Sequence, residues 1–242
     1  MKLRELFQRI RKWIYGKNYT CYLCRAEVFD GQSFCDTCRK FLPYNTNFCA
    51  RCGRKIAQSG YCMDCRSHAP QFDKARSLFV YEGEVKNLIY AFKNGNSDFS
   101  EGLATELAPL IESEFSDADC ITFVPMTKSA ERERGYNQAE ILAKELATQT
   151  GLPVEALFEK TKDTPEQKSL NRVERQKNLH GAFHLKKRAV CKEKTVLIVD
   201  DLLTTGATAG ELSRLLYGAK AKKVYLLTVA SVVLQKEKNK RP

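Results

Sequence analysis

The stretch of sequence that decides the fold runs from residue 196 to residue 208 and reads VLIVDDLLTTGAT. Its first four residues are apolar, which is typical of a strand that is buried on both faces of a parallel sheet. Two carboxylates, Asp200 and Asp201, follow this predicted strand, and a loop rich in Thr then opens a predicted helix over 208–218. The stretch therefore predicts a strand, a short loop and a helix, with polar groups at the carboxyl end of the strand.

Residues 204–208, which we name the TTGAT loop, have the features of a phosphate-binding site. Backbone N–H groups at a helix start have no intrahelical partners, and the helix dipole adds positive potential there. A glycine in the loop lets the backbone approach a ligand closely because it has no Cβ. The expected phosphate contacts are Thr204, Thr205, Gly206, Ala207 and Thr208. Asp200 and Asp201 can accept hydrogen bonds from sugar hydroxyls, so a ligand with a 5′-phosphate and two vicinal hydroxyls matches the set.

Helices and apolar strands alternate around this stretch, from residue 76 onward. The predicted helices cover residues 85–93, 102–115, 137–150 and 208–218, and the predicted strands cover residues 77–81, 120–124, 154–158, 195–199 and 223–229. Such alternation predicts an α/β domain with a parallel sheet that is covered by helices. Ligands of such sheets bind beyond the carboxyl ends of the strands, where the two carboxylates are expected.

Eight of the ten cysteines lie within residues 21–65, in four Cys-x-x-Cys pairs. Two residues between cysteines allow one tight turn to direct both thiolates at one ion, and two such turns complete a tetrahedral shell for Zn²⁺. In a reducing cytosol such pairs are typical of metal sites. We expect two structural zinc ions, bound by Cys21, Cys24, Cys35, Cys38, Cys49, Cys52, Cys62 and Cys65. Short connectors favour sequential pairing of the turns, and a crossed pairing of first with third and second with fourth stays open.

The net charge of the chain is strongly basic and unevenly placed. The 242 residues include 40 Lys and Arg against 29 Asp and Glu, which gives a formal net charge of +11. Residues 1–76 carry +9 and residues 160–196 carry +7, whereas residues 77–159 carry −9. The basic regions favour a polyanionic partner such as nucleic acid. Surface charge that only aids solubility explains them equally well.

Neither a membrane span nor an export signal is predicted. The longest nearly apolar run, residues 224–234, has about half the length that a membrane-spanning helix needs. The first 16 residues interleave basic and apolar residues, whereas a secretory signal places an uncharged apolar stretch after a basic head. We therefore expect a cytoplasmic protein. Apolar residues at helical spacing over 3–14 predict an N-terminal helix that covers the zinc module.

Aromatic and basic residues stand among the cysteine pairs. The aromatic candidates for stacking on the bases of single-stranded DNA are Tyr22, Phe34, Phe48 and Tyr61. The cations near them are Arg25, Arg39, Lys40, Arg51, Arg54, Lys55 and Arg66. The alternative is that each aromatic ring packs around its own turn, since such small modules have few other apolar residues to bury.

All 13 positions of residues 196–208 match the signature of type I phosphoribosyltransferases, which this stretch resembles. The resemblance implies phosphoribosyl pyrophosphate as the ligand, with Mg²⁺ at its diphosphate. It implies that Asp200 and Asp201 hold the ribose hydroxyls and that the TTGAT loop holds the 5′-phosphate.

Two further segments resemble parts of the same enzymes. Residues 125–138 resemble the loop that contacts pyrophosphate, and their candidate anion contacts are Lys128, Arg132 and Arg134. Residues 160–183 are polar and basic between two predicted strands, so they are expected to form a mobile loop that closes over the ligand. The expected working residues of this loop are Gln167, Arg172, Arg175 and Asn178.

A closer resemblance is to the ComF/GntX family of phosphoribosyltransferase-like proteins, which carry an N-terminal double zinc ribbon. It rests on RERGYNQ at residues 132–138, on TPEQ at 164–167, on LNRVER at 170–175 and on NLHGAF at 178–183. The family implies a cytoplasmic, late competence role in natural transformation. It also implies binding of single-stranded DNA and a ComFA-type helicase as partner.

These inferences together predict an N-terminal helix with a double zinc ribbon over residues 1–72, a phosphoribosyltransferase-like domain over 73–234 and a basic tail over 235–242. The leading hypothesis is a competence protein that binds phosphoribosyl pyrophosphate and single-stranded DNA. One alternative is a metabolic enzyme that transfers the phosphoribosyl group to an unknown base or amine. Another is a zinc-dependent protein-docking module on an inactive fold. The sequence alone does not decide whether turnover occurs.

Overall fold

The computed structural model describes residues 20–29, 32–95, 97–162, 179, 181–186 and 190–233. The chain divides into two compact units, residues 1–42 and 43–242. The second half of the cysteine-rich region therefore belongs to the larger unit. The predicted N-terminal helix over 3–14 and the predicted tail over 235–242 lie outside the described residues, and the domain limits of the sequence analysis stay a prediction.

In its described residues, 20–29 and 32–42, the smaller unit is a turn structure with one short helix, α1 (Asp36–Phe41). The side chain of Cys35 caps this helix by accepting a hydrogen bond from the N–H of Cys38. The rings of Tyr22 and Phe34 are both buried and meet edge to face, with centroids 5.9 Å apart. These two aromatic residues therefore pack inside the unit, as the alternative interpretation of the aromatic set expected.

The larger unit alternates strands and helices, as its apolar pattern predicts. Its helices are α2 (Met63–Ser67), α3 (Val85–Lys93), α4 (Phe99–Glu114), α5 (Lys128–Arg134), α6 (Gln138–Thr150) and α7 (Ala207–Gly218). Its strands are β1 (Lys74–Val80), β2 (Cys120–Phe123), β3 (Phe158–Lys160), β4 (Phe183–Leu185), β5 (Thr195–Leu203) and β6 (Lys223–Ser231). Among the described residues no helix combines the length and the apolar character that crossing a bilayer requires.

Four strands form a parallel sheet in the order β1-β6-β5-β2. The parallel α/β class predicted from the sequence is thus confirmed. The two central strands are buried, and residues 196–199 of β5 have no exposed surface. A hydrogen bond of 2.7 Å between the hydroxyls of Ser77 and Thr228 joins β1 to β6 inside the sheet. The carboxyl ends of β5 and β2 lie together, because the N–H of Val124 donates to the carbonyl of Val199 at 3.1 Å.

Strand β5 is longer than predicted. The apolar run predicts a strand that ends at residue 199, with both carboxylates after it, whereas the observed strand continues to Leu203. The reason is that β6 also continues, so that Asp200 pairs with Thr228 and Leu203 with Ser231. The two carboxylates therefore lie on a strand that holds their backbone in place.

The strand predicted over residues 154–158 is wrong as a member of the main sheet. Val154 makes only an isolated parallel bridge to Ile121, whose N–H donates to the carbonyl of Pro153 and whose carbonyl accepts from the N–H of Glu155. Beyond this bridge the chain turns away, and Phe158 begins β3, which pairs antiparallel with β4 in a separate two-stranded sheet. Apolar runs of this length predict a strand but not the sheet that it joins.

The turn over residues 49–54 packs against the outer edge of the main sheet. The N–H of Ala75 in β1 donates to the carbonyl of Arg51 at 2.7 Å, and the guanidinium of Arg76 donates to the carbonyl of Ala50 at 3.1 Å. Gly53 allows this approach: its φ is +67°, and a Cβ there would lie 2.4 Å from the carbonyl oxygen of Ala75. The cysteine turn and the sheet are thus one packed structure.

Gly53→Ala is therefore expected to lower the free energy of unfolding by about 1–3 kcal/mol, because the new methyl group meets backbone and the backbone is left-handed. Urea unfolding of the zinc-replete protein measures the change. Gly210→Ala is the matched control, since a Cβ at this position in α7 meets no atom within 4 Å. It should raise stability by about 0.5–1 kcal/mol. Equal effects of the two variants would contradict the close approach at Gly53.

Candidate functional site

The TTGAT loop joins strand β5 to helix α7 by a tight turn. Gly206 is the residue before the helix and has a φ of +81°, a left-handed conformation that glycine adopts without strain. Its carbonyl accepts the first hydrogen bond of the helix, from the N–H of Gly210 at 2.8 Å. The hydroxyl of Thr205 accepts a hydrogen bond from the N–H of Ala207 at 3.3 Å. The loop thus has the predicted form of a turn that presents a helix N-terminus.

A small cavity of about 20 Å³ lies beside this turn and is lined in part by Asp200, Thr204 and Thr208. The structure therefore brings the first predicted carboxylate and two loop threonines to one place. Such a volume holds about one water molecule. A sugar phosphate would need to lie on the open side of the turn.

The two carboxylates of β5 have different surroundings. Asp201 is only 4% exposed, and its Oδ2 lies 2.9 Å from the Nζ of Lys93 at the end of α3. Asp200 accepts a hydrogen bond from the N–H of Asp201 at 2.9 Å. Burial and the neighbouring charge of Asp201 raise the pKa of Asp200 well above its ordinary value, and Lys93 only partly offsets this. The free site therefore disfavours a second negative charge beside Asp201.

The predicted anion contacts near β2 lie on a helix rather than in a loop. Lys128, Arg132 and Arg134 all belong to α5, whose first N–H groups are capped by the hydroxyl of Thr127. The side chains of Lys128 and Arg132 are exposed. The guanidinium of Arg134, at the end of α5, donates to the buried Gln138 at 2.9 Å, the first residue of α6, so it bridges the two helices across the turn at Gly135. Because β2 and β5 are neighbouring parallel strands, α5 starts near the carboxyl ends of the strands, where the carboxylate pair also lies.

The predicted closing loop falls on residues that the structure does not describe. Gln167, Arg172, Arg175 and Asn178 all lie outside the described residues. The ends of this segment are fixed, since the N–H of Thr161 donates to the carbonyl of Ala182 at 3.0 Å. The roles of these four residues stay a prediction.

The eight cysteines form two separate groups. We name Cys21, Cys24, Cys35 and Cys38 the first cysteine group and Cys49, Cys52, Cys62 and Cys65 the second cysteine group. Within each group the four sulfur atoms lie within 4.8 Å of one another, which is the sequential arrangement that the short connectors favour. The first group belongs to the smaller unit and the second to the larger unit.

Backbone N–H groups point at the sulfur atoms in both groups. Burial raises the pKa of the Cys49 thiol, but N–H donors from Cys62, Cys52 and Arg51 outweigh it and lower the pKa to about 7. The same balance in the first group lowers the pKa of Cys21 to about 6. Such sulfurs form thiolates readily, and thiolates are the ligands of a structural zinc ion. The residues therefore fit two Cys₄ zinc sites.

Two residues of the site were missed or misplaced by the sequence analysis. Nothing in the spacing of α3 indicated that Lys93 would reach Asp201. Arg54 was expected on the exposed basic face of the zinc module, and this is wrong, because only 5% of it is exposed. Its Nη2 donates to the carbonyl of Thr204 at 2.5 Å, so it lies beneath the TTGAT loop. Gly53, directly before it, was the available signal, since a glycine that allows the backbone to approach the sheet also places the next side chain near the sheet.

Asp200→Asn is expected to raise the free energy of unfolding by about 1 kcal/mol at neutral pH, because it removes a poorly neutralised charge. An acidic group whose pKa is higher in the folded chain than in the unfolded chain lowers the free energy of unfolding as pH rises from the unfolded pKa through the folded pKa. The gain of the variant over the natural chain should therefore grow with pH above about 4. Thermal unfolding in Mg²⁺-free buffer measures it. Lys93→Met should shift stability the other way, and a lower melting temperature for Asp200→Asn would contradict the charge assignment.

Comparisons with known proteins agree with both parts of the structure. Residues 10–66 match the family model of the double zinc ribbon domain, and residues 132–242 match that of the phosphoribosyl transferase domain. These matches contain the two cysteine groups and the whole TTGAT loop.

Three relatives are similar over most of their length. Competence protein F of Haemophilus influenzae is 29% identical over 82% of this chain and 91% of its own. The DNA utilization protein YhgH of Escherichia coli is 28% identical over 86% and 95%. Competence protein ComFC of Bacillus subtilis is 26% identical over 82% and 84%. The chain therefore matches a double zinc ribbon domain and a phosphoribosyl transferase domain and is similar to competence protein F, YhgH and ComFC, as its resemblance to the ComF family predicted.

Proposed function

We propose that this chain binds phosphoribosyl pyrophosphate at the TTGAT loop and takes part in the handling of DNA during natural transformation. One observation carries the ligand half of the proposal. Two adjacent carboxylates on the end of a buried parallel strand lead directly into a left-handed glycine at the start of a helix. This arrangement provides acceptors for two hydroxyls and donors for one phosphate at the right separation along the chain.

Each part of the ligand has a partner in the proposal. Asp200 and Asp201 accept hydrogen bonds from the ribose hydroxyls, and the backbone N–H groups of residues 204–208 bind the 5′-phosphate. The diphosphate binds to two exposed cations of α5, Lys128 and Arg132, near the carboxyl ends of the strands. Arg134 lies on the same helix and is held by its hydrogen bond to Gln138. Gln167 and Arg172 close over the ligand. The diphosphate carries Mg²⁺, which supplies positive charge near carboxylates whose oxygen donors suit it.

The nucleic-acid half of the proposal rests on charge and on the relatives. The names of the relatives refer to competence and to DNA utilization. In the larger unit Tyr61 is 56% exposed, and the cations Lys55 and Arg66 on the same cysteine turns are exposed too. An exposed ring among cations is the combination that binds single strands without sequence preference. The chain would act in the cytoplasm with a ComFA-type helicase on the incoming strand.

A metabolic phosphoribosyltransferase remains the second candidate, because the carboxylate pair and the loop are both intact. In that case the site would stabilise a positively charged sugar in the transition state and transfer it to a base or amine. Release of pyrophosphate in the presence of a nucleobase, and no affinity for DNA, would decide for it.

The ligand half predicts that the double variant Asp200→Asn/Asp201→Asn binds phosphoribosyl pyrophosphate at least tenfold more weakly. Amides replace two charge-assisted hydrogen bonds, each worth about 1.5–3 kcal/mol. Isothermal titration calorimetry with Mg²⁺ measures the affinity. Lys144→Ala, at an exposed lysine of α6 in the acidic part of the chain, is the control and should bind as the natural chain does. Unchanged affinity of the double variant would remove the phosphoribosyl proposal.

The DNA half predicts that affinity for single strands falls with salt by about 0.7 log units per tenfold salt for each phosphate that is neutralised. Lys55→Ala/Arg66→Ala should therefore flatten the slope by about 1.4 if both side chains contact phosphates. Tyr61→Ala should weaken binding and leave the slope nearly intact, because a stacked ring carries no charge. Fluorescence anisotropy over a salt series gives both quantities. Equal affinity for polyglutamate and single-stranded DNA would show that the attraction is nonspecific.

A further inference from the structure

Arg54 connects the second cysteine group to the TTGAT loop. It follows Cys52 by two residues in the chain, yet its side chain ends at the other site. Its Nη2 donates to the carbonyl of Thr204 at 2.5 Å, and a Cβ on Gly206 would lie 3.6 Å from the same nitrogen. The guanidinium thus lies directly beneath the two loop residues that shape the turn.

The backbone of Arg54 is held by the cysteine turn. The N–H of Cys49 donates to the carbonyl of Arg54 at 2.8 Å, and the N–H of Gly53 donates to the carbonyl of Cys49 at 3.0 Å. Asn45 donates from its side chain to the carbonyl of Gly53 at 2.6 Å. These bonds close the turn that directs the sulfurs of the second cysteine group at one point. The position of the Arg54 side chain is therefore set by the geometry of this group.

The guanidinium is buried without full compensation. Its Nε has no hydrogen-bond partner among the described residues, and the residue is 95% removed from solvent. On one side the positive charge of Arg54 favours the thiolate form of Cys52. Burial of Cys52 has the opposite and larger effect and raises the pKa of this thiol to about 11. On the other side is the loop that faces the expected phosphate. A buried cation needs an anion nearby, and the phosphate of the ligand would supply one on the loop side.

We propose that Arg54 makes phosphate binding in the TTGAT loop depend on the metal in the second cysteine group. With zinc bound, the turn holds Arg54 under Thr204 and Gly206, which fixes the loop and adds positive charge behind it. Without zinc the four thiols separate, the turn loosens and the support is lost. Arg54 is a positioning residue, since it touches the loop and not the ligand. The inference rests on the proposed binding of a phosphate-bearing ligand at this loop.

Linkage between two sites is reciprocal, so the ligand must stabilise zinc binding by the same factor by which zinc stabilises ligand binding. This reciprocity allows a test on the natural chain. The first cysteine group supplies an internal comparison, because none of these contacts involves residues 20–42. Phosphoribosyl pyrophosphate should therefore protect one of the two zinc ions and not the other.

The first experiment follows release of zinc from the full-length zinc-loaded protein to a colorimetric chelator, with and without saturating phosphoribosyl pyrophosphate. The expected result is that, at equilibrium with the chelator, half of the zinc is held at least fivefold more tightly with the ligand than without it. The variant Cys24→Ser/Cys38→Ser, which keeps only the second site, should retain the protection. Protection of neither ion, or of the first ion alone, in a chain that binds the ligand would overturn the proposal.

The second experiment changes Arg54 itself. Arg54→Met removes the charge and the hydrogen bond to Thr204, so the zinc protection should disappear and the affinity for phosphoribosyl pyrophosphate should fall at least tenfold. Arg54→Lys keeps the charge and should retain part of both effects. Hydrogen exchange of the amides of residues 204–208 in the ligand-free protein should become faster in Arg54→Met. An unchanged exchange rate together with unchanged zinc protection would refute the role of Arg54.

The two proposals fail in different ways. If the natural chain does not bind phosphoribosyl pyrophosphate at all, the proposed function is wrong, and the ligand-free exchange measurement still reports whether Arg54 holds the loop. If the natural chain binds the ligand and Arg54→Met binds it equally well, only the coupling is wrong. Should Arg54→Met fail to fold, the zinc-release experiment on the natural chain decides alone.

Discussion

The pairing of β5 with strands on both sides is the constraint on which the site depends. β5 pairs with β6 through Leu203 and with β2 through Val199, so the backbone that carries Asp200 and Asp201 has no freedom to separate them. Two like charges at adjacent positions repel, and in the described structure Lys93 and the N–H of Asp201 oppose this. The sheet therefore maintains an unfavourable arrangement of charge that an isolated loop would relax. Strain or poor neutralisation that a rigid scaffold sustains is typical of functional sites.

The sequence was sufficient to predict the parts whose signal is local. Helix α3 was predicted with both of its ends, and the cysteine spacing predicted both groups, because the repeat of Cys-x-x-Cys and the period of an amphipathic helix depend on neighbouring residues only. The parallel class followed from the alternation of elements. The end of β5 was missed because it is set by the length of β6, and the sheet joined by residues 154–158 was missed because pairing is not encoded in one strand.

The contacts of Lys93 and Arg54 lay beyond local reasoning for the same reason. Lys93 is 108 residues from Asp201, and Arg54 is 150 residues from Thr204, so both contacts exist only once the chain is folded. A charge count treats both residues as surface cations. Burial changes what these cations interact with, since a cation that is removed from water interacts more strongly with the groups around it inside the protein. The basic character of the cysteine-rich region is therefore not all available to an external polyanion.

The order of strands has a consequence for how the chain matures during synthesis. β1 leaves the ribosome about 150 residues before its partner β6, as the sequence separation of the hydrogen-bonded pair Ser77 and Thr228 shows. The second cysteine group precedes β1 in the chain and is therefore made earlier still. Pairings of such high sequence separation form slowly and leave apolar strands uncovered in the meantime. Along the outer edge of β1 the turn at residues 49–54 and the segment at Pro43 already supply partners, since Val80 donates to the carbonyl of Pro43. A cysteine turn that metal closes early would thus cover the outer edge of the nascent strand while its inner neighbour is still being translated.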